Sequence, residues 1–191
     1  MKESGSPRTV VLVEGVSDGL AVETLATRRG RDLASEGVAV VPLDGAGNIR
    51  SALARYGPEG LGVTLAGLYD AGEEGWFSRA LEDAGLGSNL GRPELEQLGF
   101  FVCVQDLEDE LIRALGAPAV EAVVAAQGEL RPFRTLQKQP AQRGWTTEAQ
   151  LRRFLGTHAG RKAQYARALV EALDLERVPV PLDRVLAYVD R

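Results

Sequence analysis

Four short apolar runs, at Thr9–Val13, 37–43, 62–69 and 100–104, alternate with segments of helical apolar spacing over the first 115 residues. Runs of this length, rich in aliphatic and β-branched residues and bounded by Gly, Pro, Asn or Asp, read as buried strands. Strands that alternate with helices at short spacing specify an α/β fold with a central, mostly parallel sheet flanked by helices. After the first strand, Ser17 or Asp18 is placed to cap a helix carrying Leu20, Ala21, Leu25 and Ala26 on one face. Further helices are predicted at Ile49–Tyr56, ended by Gly57-Pro58, at 74–84, and at 106–115, which opens with acids. Beyond Pro118 the pattern shows no strand. Helices are expected at 120–127, Thr147–Leu155 and 161–173, with 131–144 an irregular basic connector and a short final helix after the Val-Pro-Val-Pro at 178–181, packed back on the body. The expected division is an α/β domain over 1–118 and a basic helical region over 119–191, packed on that domain or completing it.

A chain of 191 residues, 45% hydrophobic and 26% charged, has room for one domain with its own core, or one domain and a helical appendage. Its single cysteine excludes an internal disulfide framework and any multi-cysteine metal site. Cys103, between Val102 and Val104, reads as a buried structural thiol. No stretch approaches the ~18 consecutive apolar residues of a membrane span, and the polar N-terminus has no apolar core for a signal peptide, so the expected location is cytoplasmic, with no membrane contact. The net charge of −5 is unevenly distributed. Residues 1–120 hold 10 Lys and Arg against 19 Asp and Glu, whereas 121–191 hold 12 against 8. Within 128–167, Arg131, Arg134, Lys138, Arg143, Arg152, Arg153, Arg161, Lys162 and Arg167 face only Glu129 and Glu148. An acidic part suits a metal and a basic part suits a polyanion, although mutual neutralisation of the two parts explains the pattern equally well.

The acids gather where such a sheet binds ligands, just beyond the carboxyl ends of its strands. Glu14, Asp70 and Asp106 each hold such a position, with Asp18 four residues after Glu14, Glu73 and Glu74 close behind Asp70, and Glu108 two after Asp106. Carboxylates that converge repel one another unless a divalent cation sits among them, and an all-oxygen donor set favours Mg²⁺ or Mn²⁺. Taken singly, Asp18 and Asp106 are also explained as helix caps, Asp44 as turn chemistry before Gly45, and Glu108, Asp109 and Glu110 as a solvated first turn. Glu14 is the exception, because solubility does not account for a carboxylate set between an apolar strand and a glycine. His158 has no Ser or Asp arrangement around it that suggests a triad. The turn Gly45-Ala46-Gly47-Asn48 lacks both the third glycine of a dinucleotide fingerprint and the Gly-Lys-Ser/Thr of a P-loop, which leaves tight chain reversal and excludes ATP hydrolysis by a Walker motif.

Three elements in order, Val-Leu-Val-Glu-Gly-Val-Ser-Asp at 11–18, Val-Val-Pro-Leu-Asp-Gly-Ala-Gly-Asn-Ile at 40–49 and Leu-Tyr-Asp at 68–70, resemble a Toprim domain. More narrowly, they resemble the Toprim domain of the OLD (overcoming lysogenization defect) family of ATP-dependent endonucleases. The resemblance covers about residues 8–115 and extends more loosely into the basic region. It implies a Rossmann-like sheet, one or two Mg²⁺ or Mn²⁺ ions, and cleavage of DNA by a two-metal mechanism. By that resemblance Glu14 is the motif glutamate, Asp70 the first aspartate of an Asp-x-Asp pair and Lys162 the late catalytic lysine. The second aspartate is replaced by Gly72, with Glu73 near enough to substitute. Asp18, Asp106 and Glu108 match the additional acids of the family. An ABC-type ATPase domain, which the family places before its Toprim domain, is not in the sequence, so the resemblance implies a stand-alone Toprim protein or the partner of a separate ATPase.

On this reading Glu14, Asp18, Asp70, Glu73, Asp106 and Glu108 hold metal, and Lys162 offsets charge at the scissile phosphate. Arg131, Arg134, Lys138, Arg143, Arg152, Arg153 and Arg161 would grip the nucleic-acid backbone through salt-sensitive contacts. Trp145 suits packing at a loop–helix junction better than stacking on an unpaired base. The rival reading is a catalytically weak or inactive Toprim module that binds nucleic acid or a partner ATPase. A primase or topoisomerase fragment fits less well, for want of a zinc-binding region or a nucleophilic tyrosine in a recognisable setting.

Overall fold

A computed structural model describes residues 6–156 and 159–190. Four strands, β1 (Thr9–Val13), β2 (Val38–Pro42), β3 (Thr64–Asp70) and β4 (Phe100–Cys103), form one sheet in the order β2-β1-β3-β4, with every pairing parallel. The apolar runs become strands because both faces are covered. Val10, Val11, Leu12 and Val13 are fully buried, with Val11 and Val13 in the hydrophobic cluster on one side and Val10 and Leu12 in the cluster on the other. Gly67 of β3 marks a close approach. A Cβ there would lie 2.6 Å from the Leu12 carbonyl oxygen and 2.9 Å from the Phe100 ring.

Helices α2 (Ile49–Tyr56), α3 (Glu74–Asp83) and α4 (Arg92–Gln97) bury their apolar residues on one face of the sheet. On the other face lie α1 (Val16–Arg28), α5 (Leu107–Leu115), α6 (Ala117–Ala126), α7 (Leu130–Gln137), α8 (Thr147–Leu155), α9 (Ala159–Ala172) and α10 (Val180–Tyr188). The region after Pro118 is therefore continuous with this second cluster, in which Phe133, Leu151, Tyr165 and Leu169 pack with Val11, Leu25 and Leu111. Helix α9 runs along α1. The Arg28 guanidinium donates to the carbonyls of Val170 and Leu173, satisfying acceptors left open near the end of α9. Helix α10 packs on β3 and β4, as expected for the tail.

Two segments differ from expectation. Residues 131–144, expected as an irregular connector, contain most of α7 and a 3₁₀ turn at Pro140–Gln142. The helix is held by only two buried apolar side chains, Phe133 and Leu136, a spacing too sparse to read in isolation. Helix α4 was not anticipated, although Pro93 in its first turn and the Glu94 carboxylate accepting from the Gly91 N–H at 3.0 Å mark a helix start. Among the described residues there is no strand beyond β4, and no helix is long and apolar enough to cross a membrane. Cys103 is buried and free, as expected. His158 lies outside the described residues.

Candidate metal centre at the carboxyl edge of the sheet

The strand order creates the site. From β1 the chain moves to β2 on one side, then returns past β1 to place β3 on the other. Between β1 and β3 the direction of winding reverses, and the loops after these two strands diverge to leave a crevice. Glu14 follows β1 directly and Asp70 ends β3, so the two acids face each other across it. Their carboxyl groups are in hydrogen-bond contact.

Around this pair a cleft is lined by Glu14, Asp18, Asp44, Asp70, Asp106, Glu108 and Lys162, with Gly15, Ser17 and Gly45 supplying backbone. Burial, reinforced by the charge of Glu14, its hydrogen bond and the more distant Asp106 and Asp18, pushes the Asp70 carboxyl up to about 8. Burial also pushes Asp18 up to about 7, helped by Glu108 and Glu14 and opposed by the Gly15 N–H and Lys162. Glu73 is raised by burial and by Glu14, and its Oε2 is buried without a hydrogen-bond partner. Glu108 is 4% exposed, and its Oε1 lies 3.2 Å from Lys162 Nζ. Burial works against the Lys162 ammonium, but Glu108, Asp18 and Asp106 prevail and hold its pKa up.

Backbone contacts fix the acids from below. Asp18 Oδ2 accepts from the Gly15 N–H at 2.9 Å, which orients Asp18 and starts α1. The turn after β2 is a support for Glu14 as well as a chain reversal. Asp44 and Gly45 adopt positive φ, and the Gly45 N–H donates to the Glu14 carbonyl at 3.2 Å. Asn48 closes that turn on the Leu43 carbonyl at 2.8 Å. Asp44, which sequence reasoning treated as turn chemistry alone, lines the cleft. The available signal was its place just after the second apolar run, the same strand-end position that singled out Glu14 and Asp70.

Asp106 is differently engaged. Its Oδ1 caps α5 by accepting from the Asp109 N–H at 2.8 Å, and its Oδ2 accepts from Arg152 Nε at 2.8 Å and is ion-paired with Nη2 at 2.6 Å. Both oxygens thus already serve the junction of α5 with α8. Glu110, expected in a solvated first turn, is 8% exposed and instead ties α5 to β4 by accepting from the Val104 N–H at 2.9 Å.

The donor chemistry of the cleft, hard carboxylate oxygens with no ion pair to Glu14 or Asp70 among the described residues, fits a divalent ion such as Mg²⁺ or Mn²⁺. Among the described residues no group of three or more His, Cys, Asp or Glu side chains is already disposed to hold one ion. A closing movement of side chains would have to complete any coordination shell.

The structure divides the expected basic strip. Arg152, Arg153 and Lys162 border a groove that joins the acidic cleft through Asp106 and Glu108. Arg134 is ion-paired with Glu121. Arg161 donates to both oxygens of Glu129 and lies over the Phe154 ring at 4.4 Å, so its guanidinium is occupied in holding the helices together. Arg131 borders a different groove with Pro132, Thr135 and Gln139, while Lys138 and Arg143 are exposed and border neither. Of the seven residues expected to grip the backbone, Arg152 and Arg153 border the groove beside the acidic cleft, whereas Arg131 and Arg161 border another, because α7, α8 and α9 present them on different sides.

Residues 7–71, from just before β1 to just past Asp70, match the family model described as overcoming lysogenization defect protein-like, TOPRIM domain. The chain contains a Toprim domain resembling that of OLD proteins. Its fold is similar to the C-terminal region of the Xanthomonas campestris pv. campestris OLD protein, with a TM-score of 0.71 at 23% identity over 96% of this chain and 94% of that one. It is also similar to the C-terminal region of the Burkholderia pseudomallei OLD protein, with a TM-score of 0.70 at 20% identity over 96% and 97% of the two chains. A comparison with curated proteins finds no match. With 96% of the chain covered, the structural likeness takes in most of the helical region after the Toprim motifs as well.

Proposed function

We propose that this chain is a Mg²⁺- or Mn²⁺-dependent nuclease that hydrolyses phosphodiester bonds in DNA. The helices of 119–191 complete the Toprim unit of 1–118. The observation that supports this most is the convergence of Glu14, Asp18, Asp70, Glu108 and Lys162 on one cleft at the point where the sheet reverses its winding. Toprim domains generally bind divalent metals, and an OLD-like Toprim domain is of the metal-binding, nuclease type, in keeping with the matched family. Glu14 and Asp70 would form the central ligand pair, Asp18 and Glu108 a second group, and Glu73 would stand in for the aspartate replaced by Gly72. The chemistry supplied by bound divalent ions is activation of water and polarisation of the phosphate and leaving oxygens.

Lys162, held at the cleft by Glu108, would offset the negative charge that builds on the phosphate. Asp106 acts on this reading mainly through position, by fixing the first turn of α5 and hence Glu108. Arg152 and Arg153 would contact phosphates beside the cleft. Cooperation with an ATPase is suggested by the likeness to C-terminal regions of OLD proteins.

A second reading, a Toprim module that binds without cutting, is favoured by Gly72 in place of the second aspartate and by the hold of Arg152 on Asp106. Incubating supercoiled plasmid with the protein and Mg²⁺ or Mn²⁺ separates the two. Nicking that is lost in Glu14→Gln supports the nuclease, whereas intact plasmid with retained DNA binding supports the module.

A further inference from the structure

We infer that the groove beside the acidic cleft, bordered by Trp145, Thr146, Ala149, Arg152, Arg153 and Gly156, is a subsite for an unpaired nucleotide, with Trp145 stacking on its base. The inference rests on the nuclease reading for its meaning but on separate residues for its geometry. Trp145 is 50% exposed and lines this groove, an open space of about 450 Å³, so a large aromatic surface that packing would normally cover is available to a ligand there. That volume falls within the ~300–1,000 Å³ of small-ligand sites. The groove shares Asp106, Glu108 and Lys162 with the metal cleft, so a strand whose phosphate lies at Lys162 has its neighbouring nucleotide directed toward Trp145.

The loop that presents the ring is stiffened from inside. Gln137 Nε2 donates to Gln150 Oε1 at 2.8 Å, Gln150 Nε2 donates to the Gln142 carbonyl at 3.0 Å, and the Trp145 N–H donates to that same carbonyl at 3.2 Å. Gln142 and Gln150 are 5% and 9% exposed, an unusual burial for glutamine. Their hydrogen bonds hold residues 142–150 in one shape, and Thr146 caps α8 immediately after the tryptophan. The charges of the groove suit a strand beside a metal. Arg152, Lys162 and Arg113 are paired with Asp106, Glu108 and Asp109, while Arg153 and Glu148, both exposed on the groove, make no ion pair among the described residues, so Arg153 is the cation there that a phosphate can engage. A stacking aromatic beside a cationic side chain is the usual way to hold single strands without reading sequence.

The test uses the full chain carrying Trp76→Phe, which leaves Trp145 as the only tryptophan. Oligothymidylate added with Ca²⁺ in place of Mg²⁺ or Mn²⁺, which offsets the charge of the cleft, is expected to quench Trp145 emission saturably, and a duplex of equal length to do so less. Trp145→Leu should weaken oligothymidylate binding roughly tenfold, measured by anisotropy of a labelled strand, with Trp145→Phe restoring most of it. Equal binding by wild type and Trp145→Leu, or equal quenching by duplex and single strand, overturns the subsite. Plasmid nicking with Mn²⁺ is read in parallel. Nicking without a Trp145 effect on binding refutes the subsite and leaves the nuclease standing, whereas quenching and weakened binding without nicking refute the nuclease and leave the subsite standing.

Discussion

Glu14 and Asp70 are two carboxyl groups in contact that cannot both hold a full charge without a cation between them. Replacing either by its amide removes a hard, charged ligand while keeping its size. Glu14→Gln and Asp70→Asn are each expected to weaken Mn²⁺ binding at least roughly tenfold by calorimetry and to lower DNA nicking by roughly a hundredfold or more. The titration of the cleft gives a second expectation. Asp18 and Asp70 are raised from the ordinary 3.8 to about 7 and about 8 by burial and neighbouring acids, so between about pH 4 and about pH 8 the folded chain keeps protons that the unfolded chain has lost. Stability without metal is therefore fullest below the ordinary aspartate range and falls as pH rises through the folded values. In EDTA the melting temperature should be higher at about pH 6 than at about pH 8, and Asp70→Asn should flatten the difference. Mn²⁺ affinity should run the opposite way, rising across the same window as the protons leave. A pH-independent melting temperature in EDTA would show that these acids are not coupled as described.

Among the elements, the junction of α5 with α8 is held by Asp106, which caps one helix and pairs with the other. Asp106→Ala removes both contacts and is expected to cost about 1–2 kcal/mol in urea unfolding, while Asp106→Asn, which keeps the cap, should cost less than half as much. At β3, Gly67 allows the Leu12 backbone and the Phe100 ring to approach together. Gly67→Ala should destabilise by about 1–3 kcal/mol, because strand backbone cannot give way as a side chain can. Sequence periodicity located β1, α2 and α8 with the ends seen in the structure, since each carries a dense apolar pattern bounded by a clear breaker or cap. It failed at α7, where two apolar residues on a helix rich in Arg and Gln become a signal only when the surface they pack against is known.

At the scale of the molecule, the helices after Pro118 close the hydrophobic cluster that α1, α5 and the sheet begin. A chain ending at Pro118 would expose Leu25, Leu111 and Ile112 to water, and is expected to lose cooperative thermal unfolding and to bind apolar dyes, whereas the full chain should melt in one transition. The charge distribution takes on its meaning here too. Two divalent ions would reduce the −9 of residues 1–120 by about four units, which makes an acidic chain compatible with a polyanion beside its cleft. Sequence alone determined the alternation of strands and helices and the placing of acids at strand ends, because burial imposes its period on neighbouring residues and a strand's last residue is visible as the end of an apolar run. Which acids meet, and that Arg134 and Arg161 spend their charge on Glu121 and Glu129, was decided only by the tertiary structure. Strand order and helix packing bring together residues far apart in the chain, and no local pattern records those distances.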